Sequence, residues 1–315
     1  MSEQYKPSFL DPTPVFSTQS GQIDWQSLMH PHDRDAIAAM EALPGFSTVM
    51  KWILTGIIEK LNYGENIGNN LKLGPKQLPE YYDMLVDVCS TFGIQDIPEL
   101  YLSMNPYPNA ATCGEQRIYI TMTSGLLESL SADEVKTVLA HECGHILFKH
   151  VRYLMLAQAL KLGLNTALGK GISFASLGVT VAFEQCVYRW MRMSEYSADR
   201  VATIYAGSAK QASQVIMRLA GGPDAILKNV NYDAFYEQTQ EYDKVFSAPG
   251  FEGLLQNTTL WNQTHPYNAS RGSEMSKFTK TTLFKSTAQR LGTFCCSECG
   301  AKMRTANTCV NGHFN

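Results

Sequence analysis

The sequence lacks several features that would place it in a specialised class of protein. Its N-terminus has no basic start followed by an apolar run, so it shows no secretory signal. The net charge is only −3, which gives the whole chain no nucleic-acid-binding footprint. Internal repeats and low-complexity tracts are also missing. We therefore expect a globular protein of the reducing cytoplasm that has no specific nucleic-acid partner.

A long uninterrupted apolar run is absent as well. The best candidate, residues 162–183, is interrupted by Lys170, by four glycines and by several small polar residues. Because a membrane span needs about 20 predominantly apolar residues, this composition favours a buried or membrane-touching helical hairpin over a true span. Peripheral membrane contact through residues 162–183 is the alternative to a purely cytoplasmic protein.

Cysteine is sparse except near the C-terminus, where four of the eight cysteines lie. Clustered cysteines beside a histidine, in a chain without a secretory signal, are typical of metal binding rather than of disulfides. Cys296-x-x-Cys299 and Cys309-x-x-x-His313 offer four ligands and no open position, which suits a structural zinc. Cys295 is an alternative ligand to Cys296. The competing interpretation is a flexible tail with reactive thiols.

Helical periodicity dominates the rest of the chain. Short strands are expected at residues 100–103 and 117–122, separated by a turn-rich loop. Ser131 and Glu134 have capping-box spacing, which predicts a helix from there to about residue 160. Further helices are predicted at residues 33–43, 46–62, 80–92, 191–206, 208–220 and 232–246.

The long predicted helix contains the motif His-Glu-x-x-His. His141 and His145 are four residues apart, so they lie one helical turn above each other and can present two ring nitrogens to one Zn²⁺. Glu142 is rotated beside them and can take a proton from water as a general base. The alternative is a polar helix face with two unrelated histidines, but apolar residues flank the motif.

A catalytic zinc site needs a third protein ligand and an open position. His150 lies about 140° around an ideal helix from His145, so we interpret it as a surface residue. Glu195 and Asp199 offer carboxylates four residues apart on a second predicted helix. Glu195 can bind the metal, and Asp199 can accept the outer N–H of a ligating histidine and fix its tautomer. The alternative is a solvated face paired with nearby arginines.

Taken together, these residues resemble the HtpX-like zinc metallopeptidases, gluzincins related to the CAAX prenyl protease. The resemblance covers about residues 80–280. It joins the His-Glu-x-x-His motif to Glu195-x-x-Ala198-Asp199 and to His265-Pro266, which Arg271 follows. Two departures stand out: Tyr267 occupies a position where family members often carry proline, and the transmembrane helices of many members are weak or absent here.

The resemblance implies a zinc-dependent metalloendopeptidase that hydrolyses peptide bonds with Glu142 as general base. It also implies that His265 and Arg271 lie near the metal. His265 would either donate to the oxyanion, with Arg271 adding charge, or occupy the open zinc position until substrate displaces it. A surface histidine that caps a helix is the alternative to both roles.

Substrate binding is assigned to the second predicted strand. If that strand is a free edge of the sheet, it can pair with an extended peptide backbone; an ordinary edge strand is the alternative. The residues concerned are Arg117, Ile118, Tyr119, Ile120 and Thr121, preceded in the chain by Asn109 and Ala110.

The predicted architecture is α+β and mainly helical, with a small antiparallel sheet. We expect an N-terminal arm with helices (1–79), a gluzincin metallopeptidase domain (80–290) and a zinc-ribbon-like tail (291–315). The competing functional hypothesis is a zinc-containing binding or chaperone-like protein that acts through its basic tail. Glu142 separates the two hypotheses, because a purely structural zinc site has no use for a carboxylate beside a bound water.

Overall fold

The structure is a computed structural model that describes residues 23–53, 56–161, 181–221, 230–246 and 265–296, with residues 226, 300, 301, 303, 309 and 311. The predicted N-terminal arm up to residue 22 lies outside the described residues. So do residues 162–180 of the candidate membrane segment, and so do Cys299 and His313 of the predicted tail site.

Among the described residues, four helices precede the first strand: α1 (Trp25–Leu28), α2 (Pro31–Glu41), α3 (Phe46–Ile53) and α4 (Ile57–Asn69). Helix α2 begins where sequence rules place a helix start. Pro31 occupies its first turn, where a missing N–H is tolerated, and the His30 side chain accepts the backbone N–H of His32. This helix packs against the long helix that carries the predicted third zinc ligand, residues 181–206.

The sheet has four strands: β1 (Leu71–Leu73), β2 (Glu99–Ser103), β3 (Ala110–Cys113) and β4 (Tyr119–Thr123). Their order is β1-β2-β4-β3, and α5 (Pro79–Phe92) connects β1 to β2. The pair β2–β4 is parallel, while β1–β2 and β3–β4 are antiparallel. The predicted mainly helical α+β fold with a small sheet is confirmed, but the sheet is mixed and not antiparallel throughout, because β2 and β4 are parallel.

The strand that we predicted as a free edge lies inside the sheet. Strand β4 inserts between β2 and β3, so the residues assigned to substrate pairing have neighbours on both sides. A tight hairpin makes this insertion possible. Gly114 has φ +90°, and a Cβ there would lie 2.0 Å from the carbonyl oxygen of Arg117. Strand β3 is the edge strand on this side of the sheet.

The metal-motif helix is shorter than predicted. After α6 (Ser124–Ser129), α7 (Ala132–Leu147) starts at the predicted capping box of Ser131 and Glu134. It ends in a turn in which Lys149 has a left-handed φ of 59° and the backbone N–H of His150 donates to the carbonyl of His145. Helix α8 (Val151–Lys161) begins after this turn as a separate helix, so no continuous helix runs from residue 132 to residue 160.

The remaining helices are α9 (Val181–Ala206), α10 (Ala209–Gly221), α11 (Tyr232–Phe246), α12 (Asn268–Thr279) and α13 (Thr282–Arg290). Helices α7 and α9 pack closely where Gly144 faces Ala198, because a Cβ on Gly144 would lie 2.9 Å from the Ala198 Cα. In the described part of the chain, every helix is too short or too polar to cross a membrane.

The main hydrophobic core lies between α5, α7, α9 and the sheet. The described tail residues join it, since Cys296, Met303 and Cys309 are buried in the same cluster as Phe284 and Phe294. A second cluster lies between α2, α3, α8 and α9. The close contact of α7 with α9 between these two clusters brings the predicted zinc ligands together.

Candidate metal centre

Two histidines of α7 and one glutamate of α9 converge on a single point. His141 Nε2 lies 3.6 Å from one carboxylate oxygen of Glu195, and His145 Nε2 lies 3.5 Å from the other. The three donor atoms lie within 4.8 Å of one another. Among the residues that the structure describes, this is the group of three or more metal-ligating side chains that is close enough to share an ion.

The donor set fits a catalytic zinc ion. Two imidazole nitrogens and one carboxylate are ligands that zinc takes in hydrolytic sites, and three protein ligands leave a fourth position open. The outer Nδ1 of each ring has its own polar partner: Asp199 Oδ1 lies 3.0 Å from His141, and His150 Nδ1 lies 3.0 Å from His145. Both Nε2 atoms are therefore directed towards the shared point.

Behind His141 stands a buried ion pair. Arg271 donates from Nε to Asp199 Oδ2 at 2.8 Å and from Nη2 to Oδ1 at 2.6 Å. Burial alone would raise the pKa of Asp199, but the charge and hydrogen bonds of Arg271 outweigh it and lower that pKa. Asp199 thus places an ionised carboxylate 3.0 Å from His141 Nδ1, where it can accept a hydrogen bond from that ring nitrogen when it carries the proton.

Behind His145 the structure places His150, which we had interpreted as a surface residue. That interpretation was wrong: His150 is fully buried, and its Nε2 lies 2.9 Å from Asp33 Oδ2. The angle argument failed because α7 ends before His150, so the 3.6-residue period no longer applies. Burial lowers the pKa of His150 despite the neighbouring Asp33.

The predicted base, Glu142, is buried and is held by the edge strand. Thr112 on β3 donates its hydroxyl proton to Glu142 Oε2 at 2.5 Å. Sequence reasoning missed Thr112, because a threonine in a strand 30 residues before the motif carries no signal of its own. The contact brings β3 against the open side of the metal centre.

Comparisons with known proteins agree with this geometry. Residues 76–279 match Peptidase family M48. The chain is 31% identical over 270 residues to the Arabidopsis thaliana protein "Plastoglobule-localized metallopeptidase 48, chloroplastic", which covers 85% of this chain and 76% of that protein. It is 22% identical over 171 residues to "Protease HtpX homolog 2" of Methanosarcina mazei, covering 48% of this chain and 58% of the other.

The chain belongs to peptidase family M48. As a member it is a metalloprotease whose substrates are peptides or proteins, and the HtpX-like resemblance is confirmed. The family match begins at residue 76, so Asp33 and helix α2 lie outside the matched residues.

His265 and Arg271 lie beside the ligands of this M48 site, although not as a pair at its rim. His265 Nδ1 is 3.0 Å from Glu195 Oε2, and the His265 side chain is 61% exposed. Arg271 is instead largely covered, with its side chain 12% exposed, and is paired with Asp199; its Nη2 is 3.6 Å from Glu195. Of the two residues, His265 is the one that faces the open side.

A cavity of about 90 Å³ extends from the metal centre. Glu142 and His265 contribute to it, and Asn109 and Ala110 at the start of β3 line one side. Its far wall is apolar and is formed by Leu126, Val138, Ala202, Val215, Ile216 and Met275. The site therefore combines charged ligands with an apolar pocket and a strand edge, the elements that a peptide-binding cleft needs.

Proposed function

We propose that the protein is a zinc-dependent metalloendopeptidase in which Glu142 is the general base. The observation that supports this best is the convergence of His141, His145 and Glu195 within 4.8 Å, with the buried carboxylate of Glu142 lining the adjoining cavity. A structural zinc site has no use for that additional carboxylate. A hydrolytic site needs it, because water must lose a proton as it attacks.

The ligand residues hold and orient the metal, and the other residues move protons and bind substrate. Zinc, when bound, would supply the electrophile that activates water and polarises the scissile carbonyl. Glu142 accepts the proton of the attacking water and later delivers it to the leaving amine. Thr112 keeps the accepting carboxylate in place through its hydroxyl, and the buried surroundings of Glu142 exclude bulk water.

The edge strand β3 is the proposed platform for the substrate backbone. Among the described residues, β3 pairs with β4 on one side and with no strand on the other. Asn109 and Ala110 line the cavity, and Thr112 contacts Glu142. A peptide added along β3 would therefore run past the general base, with its backbone held by main-chain hydrogen bonds. This assigns substrate pairing to residues 110–113 instead of 117–121.

His265 is the proposed donor to the oxyanion. Its Nδ1 contact with Glu195 orients the ring, and its exposed side chain borders the cavity. Replacement by alanine should lower kcat by about 10²–10³, as for other oxyanion donors. A rise in basal activity would instead show that His265 blocks the open position in a resting state.

A structural zinc in the tail is a separate proposal. Cys296 and Cys309 are both buried, and the backbone N–H of Asn311 donates to Cys309 Sγ at 3.2 Å, a bond that would stabilise a thiolate ligand. Cys295 Sγ instead faces the carbonyl of Thr293 at 3.3 Å, which favours Cys296 as the ligand. Metal analysis should find two zinc ions, with the tail ion lost more slowly to a chelator. One zinc per chain with freely alkylated tail cysteines would remove this proposal.

The deciding experiment compares the wild type with Glu142→Gln in an unbiased peptide cleavage assay. We expect Glu142→Gln to bind zinc normally and to lose nearly all cleavage, because glutamine cannot accept the proton. Glu128→Gln, an exposed change on α6, is the matched control and should cleave like the wild type. Equal activity in Glu142→Gln would remove the proposed mechanism and favour a binding function.

A further inference from the structure

A continuous chain of contacts joins the metal ligand His145 to the N-terminal helix α2. His145 Nδ1 lies 3.0 Å from His150 Nδ1, and His150 Nε2 lies 2.9 Å from Asp33 Oδ2. His150 and Asp33 are completely buried. Asp33 is contributed by a helix that lies outside the residues matched to the M48 family.

The positions of the protons in this chain follow from the ligand role of His145. If Nε2 of His145 faces the metal, its proton is on Nδ1, which must donate to His150 Nδ1. The proton of neutral His150 is then on Nε2, the nitrogen that faces Asp33. In the structure this nitrogen lies 2.9 Å from Asp33 Oδ2 without the alignment of a hydrogen bond, so the two groups make a close polar contact.

Asp33 is itself held by the helix that carries the third ligand. Ser197 donates its hydroxyl to Asp33 Oδ2 at 2.5 Å, and Trp190 donates its indole N–H to Oδ1 at 3.1 Å. The backbone N–H of His30 in turn donates to Ser197 Oγ at 2.9 Å. Helix α2 is therefore fixed by hydrogen bonds to α9 on both sides of Glu195, at Trp190 and Ser197.

We infer that α2 supports the metal centre: its residue Asp33 acts through His150 to orient His145. The inference rests on the proposed zinc site. Asp33 and His150 are positioning residues, since neither reaches the metal. Partners that orient a ligating histidine typically contribute about 10–100-fold to metal affinity or activity. The N-terminal helix would accordingly set how tightly the enzyme holds zinc.

The alternative is a polar cluster that only stabilises the fold. A buried carboxylate needs hydrogen bonds wherever it lies, and Ser197 and Trp190 already supply two of them. The two interpretations differ in what removal of Asp33 changes. A structural role changes the stability of the metal-free protein alone, whereas a positioning role changes the zinc affinity of the folded protein.

The test measures the zinc dissociation constant of the full chain by competition with a chelator. Glu195→Ala gives the reference for zinc held elsewhere on the chain. We expect Asp33→Asn and His150→Asn each to weaken zinc binding by about 10–100-fold. The exposed changes Asp35→Asn on α2 and His32→Asn are matched controls and should leave the affinity unchanged.

Two further readouts separate positioning from folding. Combining Asp33→Asn with His150→Asn should weaken binding no more than one change alone, because Asp33 acts through His150. Cobalt bound at the same site should show an altered visible spectrum in both single variants. If Asp33→Asn does not fold, the zinc affinity of His150→Asn, compared with that of His32→Asn, decides between a positioning and a structural role.

Zinc affinity in the variants equal to that of the controls would overturn the inference while leaving the zinc site intact. So would losses that add in the double variant. A wild-type chain that holds no more zinc than Glu195→Ala would instead overturn the proposed function itself.

Discussion

The two histidines of the metal centre are supported in physically different ways. Behind His141 lies an ionic branch, in which Asp199 is paired bidentately with the buried Arg271. Behind His145 lies a relay branch, in which neutral His150 stands between the ligand and Asp33. Both branches begin at a ring Nδ1, so both serve the same need to fix a tautomer and a ring direction.

The difference shows that the same need, to fix the tautomer and ring direction of a histidine, can be met within the family-matched residues or by a residue outside them. The ionic branch joins α9 to α12, both within the residues matched to the M48 family. The relay branch reaches helix α2, where a hydroxyl and an indole donor hold its carboxylate and the imidazole of His150 makes a close polar contact with it. We expect the ionic branch to be more sensitive to the loss of one partner, because an uncompensated buried charge is strongly destabilising.

The largest effect is expected where the two branches meet. Glu195→Ala removes the carboxylate that lies beside both histidines and should abolish zinc binding at this site. Asp199→Asn should weaken binding or activity by only about 10–100-fold. Metal analysis after gel filtration measures both variants, with Glu184→Ala on the same helix as the control. Wild-type zinc content at this site in Glu195→Ala would refute the ligand assignment.

The ionic branch is broken by Arg271→Met. This change leaves Asp199 buried without its guanidinium, so the free energy of unfolding of the metal-free protein should fall by about 3–5 kcal/mol. Adding Asp199→Leu removes the unpaired charge and should recover part of the loss. Denaturant unfolding measures the effect, and the exposed Arg189→Met is the control. An Arg271→Met variant as stable as Arg189→Met would contradict the contrast between the branches.

From the sequence we expected Asp199 behind a ligating histidine, but neither its pairing with Arg271 nor the relay branch. Helical periodicity alone places His141 over His145 and Glu195 over Asp199, and the structure has both pairs on continuous helices. His150 was misjudged because the helix ends at Leu147, and no spacing rule shows where a lysine will adopt a left-handed φ. Asp33 lies too far along the chain for any local pattern to connect it with the site.

The sheet shows the same limit of prediction from sequence, which locates strands but not their neighbours. The strands at residues 100–103 and 117–122 were located correctly, because β-strand patterns are local. Their neighbours were not, since the hairpin at Gly114 inserts β4 between β2 and β3. The edge strand that faces the metal centre is therefore β3. It carries Thr112, whose hydrogen bond to Glu142 depends entirely on that tertiary arrangement.

The comparison of branches is sharpened by the proposed base Glu142, whose carboxylate accepts a hydrogen bond from the Thr112 hydroxyl. Thr112→Val removes the hydrogen bond to Glu142, and a bond to a charged group contributes about 1.5–3 kcal/mol. We expect kcat to fall by roughly 10–100-fold at unchanged zinc content, whereas changes in either histidine branch alter zinc affinity. Thr112→Ser should restore most of the activity. A loss of zinc in Thr112→Val would show that β3 supports the ligands and not the base.

The smallest expected effect concerns another contact that holds helix α2 in place. His30, the N-cap of α2, lies 3.2 Å from Glu274 on α12. Burial would raise the pKa of Glu274, but hydrogen bonds from His30 and Lys277 outweigh it and lower that pKa to about 2 from an ordinary value of 4.5. A carboxyl group with a lowered folded-state pKa stabilises the fold at a pH above its unfolded value, and this contribution disappears as the pH falls towards the folded value.

The contribution of Glu274 should therefore be constant at neutral pH and decline below about pH 4.5. The difference in unfolding free energy between the wild type and Glu274→Gln measures it. This partly exposed carboxylate should contribute about 1 kcal/mol at pH 6, and the difference should shrink at about pH 3.5. The exposed Glu128→Gln should show no such trend. A difference that grows as the pH falls would mean that Glu274 is not an ionised anchor of α2, and that the contacts of α2 with α9 hold the helix without it.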